Sequence, residues 1–128
     1  MQLSQRIIVV DDDRSVRSAL SNLLQSEGYI AQAFASAEDL LEDDAALRDG
    51  ALFIIDVELK GMSGFELFKQ LIKRRVNPPG IIISGNGDDN MLWYAINLGA
   101  LAFMRKPIDI DVLFDHIRTE LSARTARP

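Results

Sequence analysis

The run RIIVVDDDRSVRSALSNLLQSEG, Arg6–Gly28, decides how the rest of the chain reads. Its first five residues form a short, continuous, β-branched apolar segment, as in a strand buried on both faces. From Arg14 to Glu27 the apolar residues Val16, Ala19, Leu20, Leu23 and Leu24 recur at helical spacing. Gly28 stands where a C-terminal cap belongs. Between strand and helix lie Asp11, Asp12 and Asp13. Three adjacent carboxylates at the end of a buried strand repel one another where water screens them poorly, so a positive partner is expected there.

The same strand-then-helix pattern continues. A second strand is expected over Tyr29–Phe34, although its alternation is poor, and Ser36 is placed to cap a helix through Leu40 and Leu41 that fades into EDDAALRDG. ALFIID, Ala51–Asp56, is a buried strand ending in an acid. Phe65, Leu67, Phe68, Leu71 and Ile72 mark a helix over Gly64–Arg75, and NPPG breaks the chain. IIIS, Ile81–Ser84, is a fourth strand, and a helix from Asp88 or Asp89 to Leu98 closes at Gly99. LAFM, Leu101–Met104, is a fifth strand, followed by a helix marked by Ile110, Leu113, Phe114, Ile117 and Leu121.

Five strands alternating with five helices predict an α/β fold: a flavodoxin-like, doubly wound parallel sheet of order 2-1-3-4-5. We expect one domain over residues 1–122 and a C-terminal tail or linker stub over 123–128, too poor in apolar residues to pack.

Composition narrows the function. The 128 residues are 48% hydrophobic and 26% charged, ordinary for one globular domain. A net charge of −5 argues against nucleic-acid or anionic-membrane binding by this domain. There is no cysteine, hence no disulfide and no thiolate metal site. No apolar run approaches the roughly 20 residues of a membrane helix, and no signal peptide is evident, so a cytoplasmic protein is expected.

In a doubly wound sheet, ligands bind beyond the carboxyl ends of the strands. Strand one delivers Asp11–Asp13 there, strand three Asp56, strand four Ser84, and strand five Lys106 shortly after it ends. Facing carboxylates stay ionised together only beside a cation. An all-oxygen set suits Mg²⁺ (or Mn²⁺), which prefers one or two carboxylates plus waters and phosphate oxygens. Lys106 and Ser84 are suited to a phosphoryl group, and one carboxylate can be its acceptor. Asp13 is read more simply as a helix-start acid.

These residues carry a family resemblance over essentially all of residues 5–121. The acid pair in VVDDDRSVR, the acid of IIDVELKGMSGFEL with Gly64 eight residues on, the serine of IIISG, and GALAFMRKP resemble a response-regulator receiver domain of two-component signalling. VDDDRSVRSALSNLL and FASAEDLL are closest in style to regulators with a LuxR-type DNA-binding output. The resemblance implies that Asp56 accepts phosphoryl from a histidine kinase or phosphotransfer protein. It implies Asp12, Asp11 through a water, Asp56 and the Glu58 backbone carbonyl as Mg²⁺ ligands. It also implies Lys106 and Ser84 as phosphoryl contacts, Ser84 and Phe103 as the switch pair, and a cis peptide before Pro107.

In such domains the helix over 88–98, strand five and the last helix form the surface that responds to phosphorylation, and a homodimer through that face is expected. Trp93 falls opposite the apolar arc of its helix and is a candidate interface anchor; its bland alternative is a rim residue over Ile96. Lys60 stands where a proline is common, and Ser84-Gly85 replaces a more usual Thr-Ala. Glu58 and Asn86 occupy positions that tune hydrolysis of the acyl phosphate.

Other readings start from the same residues. A stand-alone relay or adaptor shares the switch chemistry without an output domain. A haloacid-dehalogenase-like phosphatase would use Asp11 as nucleophile and leave Asp56 idle. A flavodoxin-like cofactor binder would need a hydroxyl- or glycine-rich phosphate loop where this chain has acids.

Overall fold

The computed structural model describes residues 5–74, 76 and 79–126. Arg75, Asn77 and Pro78, which the sequence reading assigned to a helix end and a break, lie outside the described residues, as do Arg127 and Pro128 of the expected tail. The elements are β1 Arg6–Val10, α1 Arg14–Ser26, β2 Ile30–Phe34, α2 Ala37–Leu41, α3 Asp44–Asp49, β3 Gly50–Asp56, α4 Gly64–Lys73, β4 Gly80–Ser84, α5 Asp89–Leu98, β5 Ala102–Arg105 and α6 Ile110–Ala126. All five strands pair in parallel in the order β2-β1-β3-β4-β5, as expected.

The sheet divides the core in two by the two-residue period of its strands. Ile7, Val9, Leu52, Ile54, Ile81 and Ile83 face α1 and α6, where they meet Leu20, Leu24, Leu113, Phe114 and Ile117. Ile8, Val10, Phe53, Ile55 and Ile82 face the other layer, against Leu40, Ala46, Leu67, Phe68, Leu71 and Ala95. Each large side chain so buried contributes about 1.5–3 kcal/mol of transfer free energy. The central strands are apolar on both faces because both are covered. The poor alternation of β2 reflects its place at the sheet edge, where Ile30 remains 43% exposed.

The helix count is corrected from five to six. The segment expected to fade after Leu41 restarts, because Asp43 accepts a hydrogen bond from the Ala46 amide at 2.9 Å and caps α3. Ala46 is then fully buried. Helix starts follow side-chain capping elsewhere too: Asp13, Ser36, Ser63 and Asp88 each accept from an amide of the first turn. Gly99 closes α5 at φ 99°, a left-handed conformation that glycine adopts without a Cβ clash. The last helix extends through Ala126.

Candidate functional site

Four chain segments end at one edge of the sheet, and their polar side chains meet there. Asp11 and Asp56 lie one residue beyond β1 and at the end of β3, with exposures of 0% and 2%. One carboxylate oxygen from each of Asp11, Asp12 and Asp56 lies within 4.8 Å of the others. Lys106 reaches in from beyond β5, its Nζ 3.0 Å from Asp11 Oδ2 and 3.2 Å from Asp56 Oδ2. The positive partner that the three-acid run requires is therefore an ammonium shared by two buried carboxylates.

Local structure explains why the acids separate in role. Asp13 turns away from the pocket and caps α1, accepting from the amides of Ser15 at 2.8 Å and Val16 at 3.4 Å. Its own amide donates to Asp11 Oδ1 at 2.8 Å, which orients Asp11 inward. Arg17, one turn into α1, donates to the Asp11 carbonyl at 2.8 Å. Asp56 Oδ1 accepts from the Glu58 amide at 3.1 Å, leaving Oδ2 for Lys106.

Burial and the neighbouring Asp11 charge push the Asp56 carboxyl up to about 6, against weaker opposing pulls from the Glu58 amide and Lys106. For Lys106 burial is the largest single influence and works downward. The two carboxylates together outweigh it and hold the ammonium above its ordinary value.

A divalent cation fits this donor set. Every side chain in the set offers a carboxylate oxygen, with no imidazole or thiolate among them. Asp11 Oδ2 is buried and accepts no hydrogen bond of good geometry, although it lies in ionic contact with Lys106. A buried carboxylate oxygen with spare acceptor capacity beside two more acids is what a hard, oxygen-seeking ion uses.

Ser84 is fully buried at the end of β4, and its hydroxyl is already engaged. It lies 2.8 and 3.0 Å from the two carboxylate oxygens of Glu58 and accepts from the Asn86 amide at 3.1 Å. The Gly85 amide donates to Glu58 Oε1 at 2.7 Å. The Glu58 side chain thus lies across the end of β4. The sequence reading gives Glu58 a backbone ligand role and a part in tuning hydrolysis, but not these partners for its carboxylate; its position two residues after Asp56, facing a strand-end serine, is the available signal.

Phe103 is half-buried, packed on the α4–α5 side of the sheet beneath the Arg105 guanidinium, 5.8 Å from the ring centroid. Its edge abuts Gly87, where any Cβ would lie 2.8 Å or less from the ring, and Arg105 ties that loop by donating to the Gly87 carbonyl at 2.8 Å. The Lys106-Pro107 peptide is cis. The loop after Asp56, deprived of a proline at Lys60, is tethered instead by Glu38 of α2, which accepts from the Met62 amide at 3.0 Å. Trp93 is 63% exposed on α5, beside exposed Ile96 and Tyr94, so the helix leaves more apolar surface open than its wheel suggests.

A family model described as the response regulator receiver domain matches residues 7–118. The chain is 41% identical over 115 residues to the response regulator protein TmoT of Ectopseudomonas mendocina, covering 90% of this chain and 52% of that protein. It is 35% identical over 121 residues to the transcriptional regulatory protein FixJ of Azorhizobium caulinodans, covering 94% and 57% respectively. The chain thus spans about half the length of these relatives. Among solved structures, FixJ-N matches with a TM-score of 0.82 at 31% identity, over 93% of this chain and 94% of that one. The response regulator StyR matches with a TM-score of 0.84 at 36% identity, over 94% of this chain and 61% of that one.

Proposed function

Because the chain belongs to the response-regulator receiver family, we propose that it is a two-component signalling switch that takes its phosphoryl group on Asp56. The observation that carries this reading is the convergence of Asp11, Asp12, Asp56 and Lys106 in one pocket. A carboxylate oxygen of Asp56 forms the new P–O bond as the P–N bond of a donor phosphohistidine breaks, its electron pair staying on the imidazole nitrogen. The donor is a histidine kinase or phosphotransfer protein. No metabolite is turned over; the chemistry is self-phosphorylation and self-hydrolysis.

Asp11, Asp12, Asp56 and the Glu58 carbonyl would hold Mg²⁺, which when bound supplies charge compensation to the phosphoryl oxygens. The protein's share is positioning and electrostatics. Lys106 offers an ammonium that moves from carboxylates to phosphoryl oxygens, and Ser84 offers its hydroxyl. As Ser84 turns toward the phosphoryl group, Phe103 turns inward, which alters the surface of α5, β5 and α6. Trp93 would anchor a phosphorylation-dependent homodimer on that face.

Among the described residues no helix is long and apolar enough to cross a membrane. A receiver fed by a kinase belongs in the cytoplasm; similarity to the transcriptional regulatory protein FixJ supports control of transcription, and the style of the sequence suggests a LuxR-type, DNA-binding output. The phosphatase reading is set aside with family membership, and Asp56, idle in that scheme, holds the ion pair with Lys106. Asp56→Asn should abolish labelling by acetyl phosphate with Mg²⁺. Labelling at the wild-type rate refutes the assignment.

A further inference from the structure

The resemblance gives Glu58 a part in tuning hydrolysis of the acyl phosphate, but phosphoryl transfer as proposed above uses only its backbone carbonyl and leaves its carboxylate without a task. Its partners are donors rather than a metal ligand set: the buried Ser84 hydroxyl at 2.8 and 3.0 Å and the Gly85 amide at 2.7 Å. The amide contact has the length of a charge-assisted bond. The corner also adjoins the cationic side chain: a Cβ on Gly85 would lie 3.6 Å from Glu58 Oε1 and 3.9 Å from Lys106 Cδ. Ser84 and Gly85 therefore form a small anion seat beside Lys106, and an internal carboxylate sits in it.

We infer that Glu58 is a positioning residue that competes with the phosphoryl group: its carboxylate fills the seat made by Ser84 and Gly85 and must leave before an acyl phosphate on Asp56 can use it. The inference rests on the Asp56 reading above and adds to it the identity of the group displaced. Two physical effects act in one direction. The hydroxyl has a single proton, so it serves the carboxylate or the phosphoryl oxygen but not both. A further carboxylate at this sheet edge, held by Ser84 and Gly85, also repels an incoming anion. Glu58 thereby lowers affinity for phosphoryl-like anions and holds Ser84, and with it Phe103, in the resting arrangement.

The probe is beryllofluoride with Mg²⁺, its binding followed by fluorine NMR in wild type, Glu58→Ala and Glu58→Gln. Removing the carboxylate should tighten binding about tenfold, the scale of one lost charged hydrogen bond. The amide of Glu58→Gln, still an acceptor but uncharged, should give a smaller gain in the same direction, and it guards against a loop disturbed by alanine. On a Ser84→Ala background the gain from Glu58→Ala should shrink, which a purely structural role would not produce. In the metal-free protein the Gly85 amide proton should move upfield in Glu58→Ala. Unchanged or weaker anion binding in both Glu58 variants, or an unmoved Gly85 resonance, overturns the inference while leaving the Asp56 assignment intact. Equal binding by Asp56→Asn overturns that assignment and this inference with it.

Discussion

Gly64 stands against the main chain of Asp56. A Cβ on Gly64 would overlap the Asp56 carbonyl oxygen and lie 2.7 Å from its carbon and 2.9 Å from Val57 Cα. All three are backbone atoms, so no rotamer change relieves them. The Gly64 amide donates to the Val57 carbonyl at 3.0 Å, so the approach is also what closes the loop. Gly64→Ala should cost about 2–3 kcal/mol in urea denaturation, as overpacking against fixed atoms does. A loss below about 0.5 kcal/mol would show that the loop relaxes freely.

Asp56 makes stability depend on pH with a definite sign. Burial first, then Asp11, raises its carboxyl from 3.8 to about 6. The native state therefore holds this proton more tightly than the unfolded chain, and stability falls as pH rises from about 4 to about 6. The penalty is complete above that window and is on the order of 3 kcal/mol. In metal-free buffer, Asp56→Asn should stabilise the protein by about 2–3 kcal/mol at pH 7.5 and scarcely at pH 4. An equal gain at both would contradict the buried-carboxylate account.

Removing Lys106 should expose the repulsion it masks. Lys106→Ala leaves two buried carboxylates without their shared cation, which costs about 1–3 kcal/mol at neutral pH; the lysine side chain is 26% exposed, so the full buried-pair penalty does not apply. The loss should recover as acidification protonates Asp56. Mg²⁺ affinity, measured by calorimetry, should survive while the conformational response to beryllofluoride is lost. Loss of metal affinity instead would mean Lys106 positions the acids rather than compensating them.

Trp93 is too exposed, at 63%, to hold the fold together. Trp93→Ala should leave the urea midpoint within about 0.5 kcal/mol of wild type. It should also weaken beryllofluoride-dependent self-association, measured by sedimentation, by tenfold or more. Unchanged association would remove Trp93 from the interface.

Much of this architecture is legible in the chain because buried strands and amphipathic helices announce themselves by period. IIVV and LFII read as double-sided strands, and Gly28 and Gly99 mark helix ends that the structure places there. The restart at Asp43 escaped notice because one capping acid sat among several, and only burial of Ala46 distinguishes it. At the site, the meeting of Asp11, Asp12, Asp56 and Lys106 follows from strand order. Strand order also brings Glu58 near Ser84, since β3 and β4 are neighbours, but not the turn of its side chain back over the end of β4, because the loop after Asp56 carries no periodicity. The same holds for the Glu38–Met62 tether, which supplies through space the restraint that Lys60 does not supply as a proline would.

The most direct measurement is the position of the phosphoryl group. The protein is incubated with acetyl phosphate and Mg²⁺, the acyl phosphate is reduced with borohydride, and the resulting homoserine is located by peptide mass spectrometry. Modification confined to Asp56 is the expected result. Homoserine at Asp11 or Asp12 with Asp56 untouched would contradict the account.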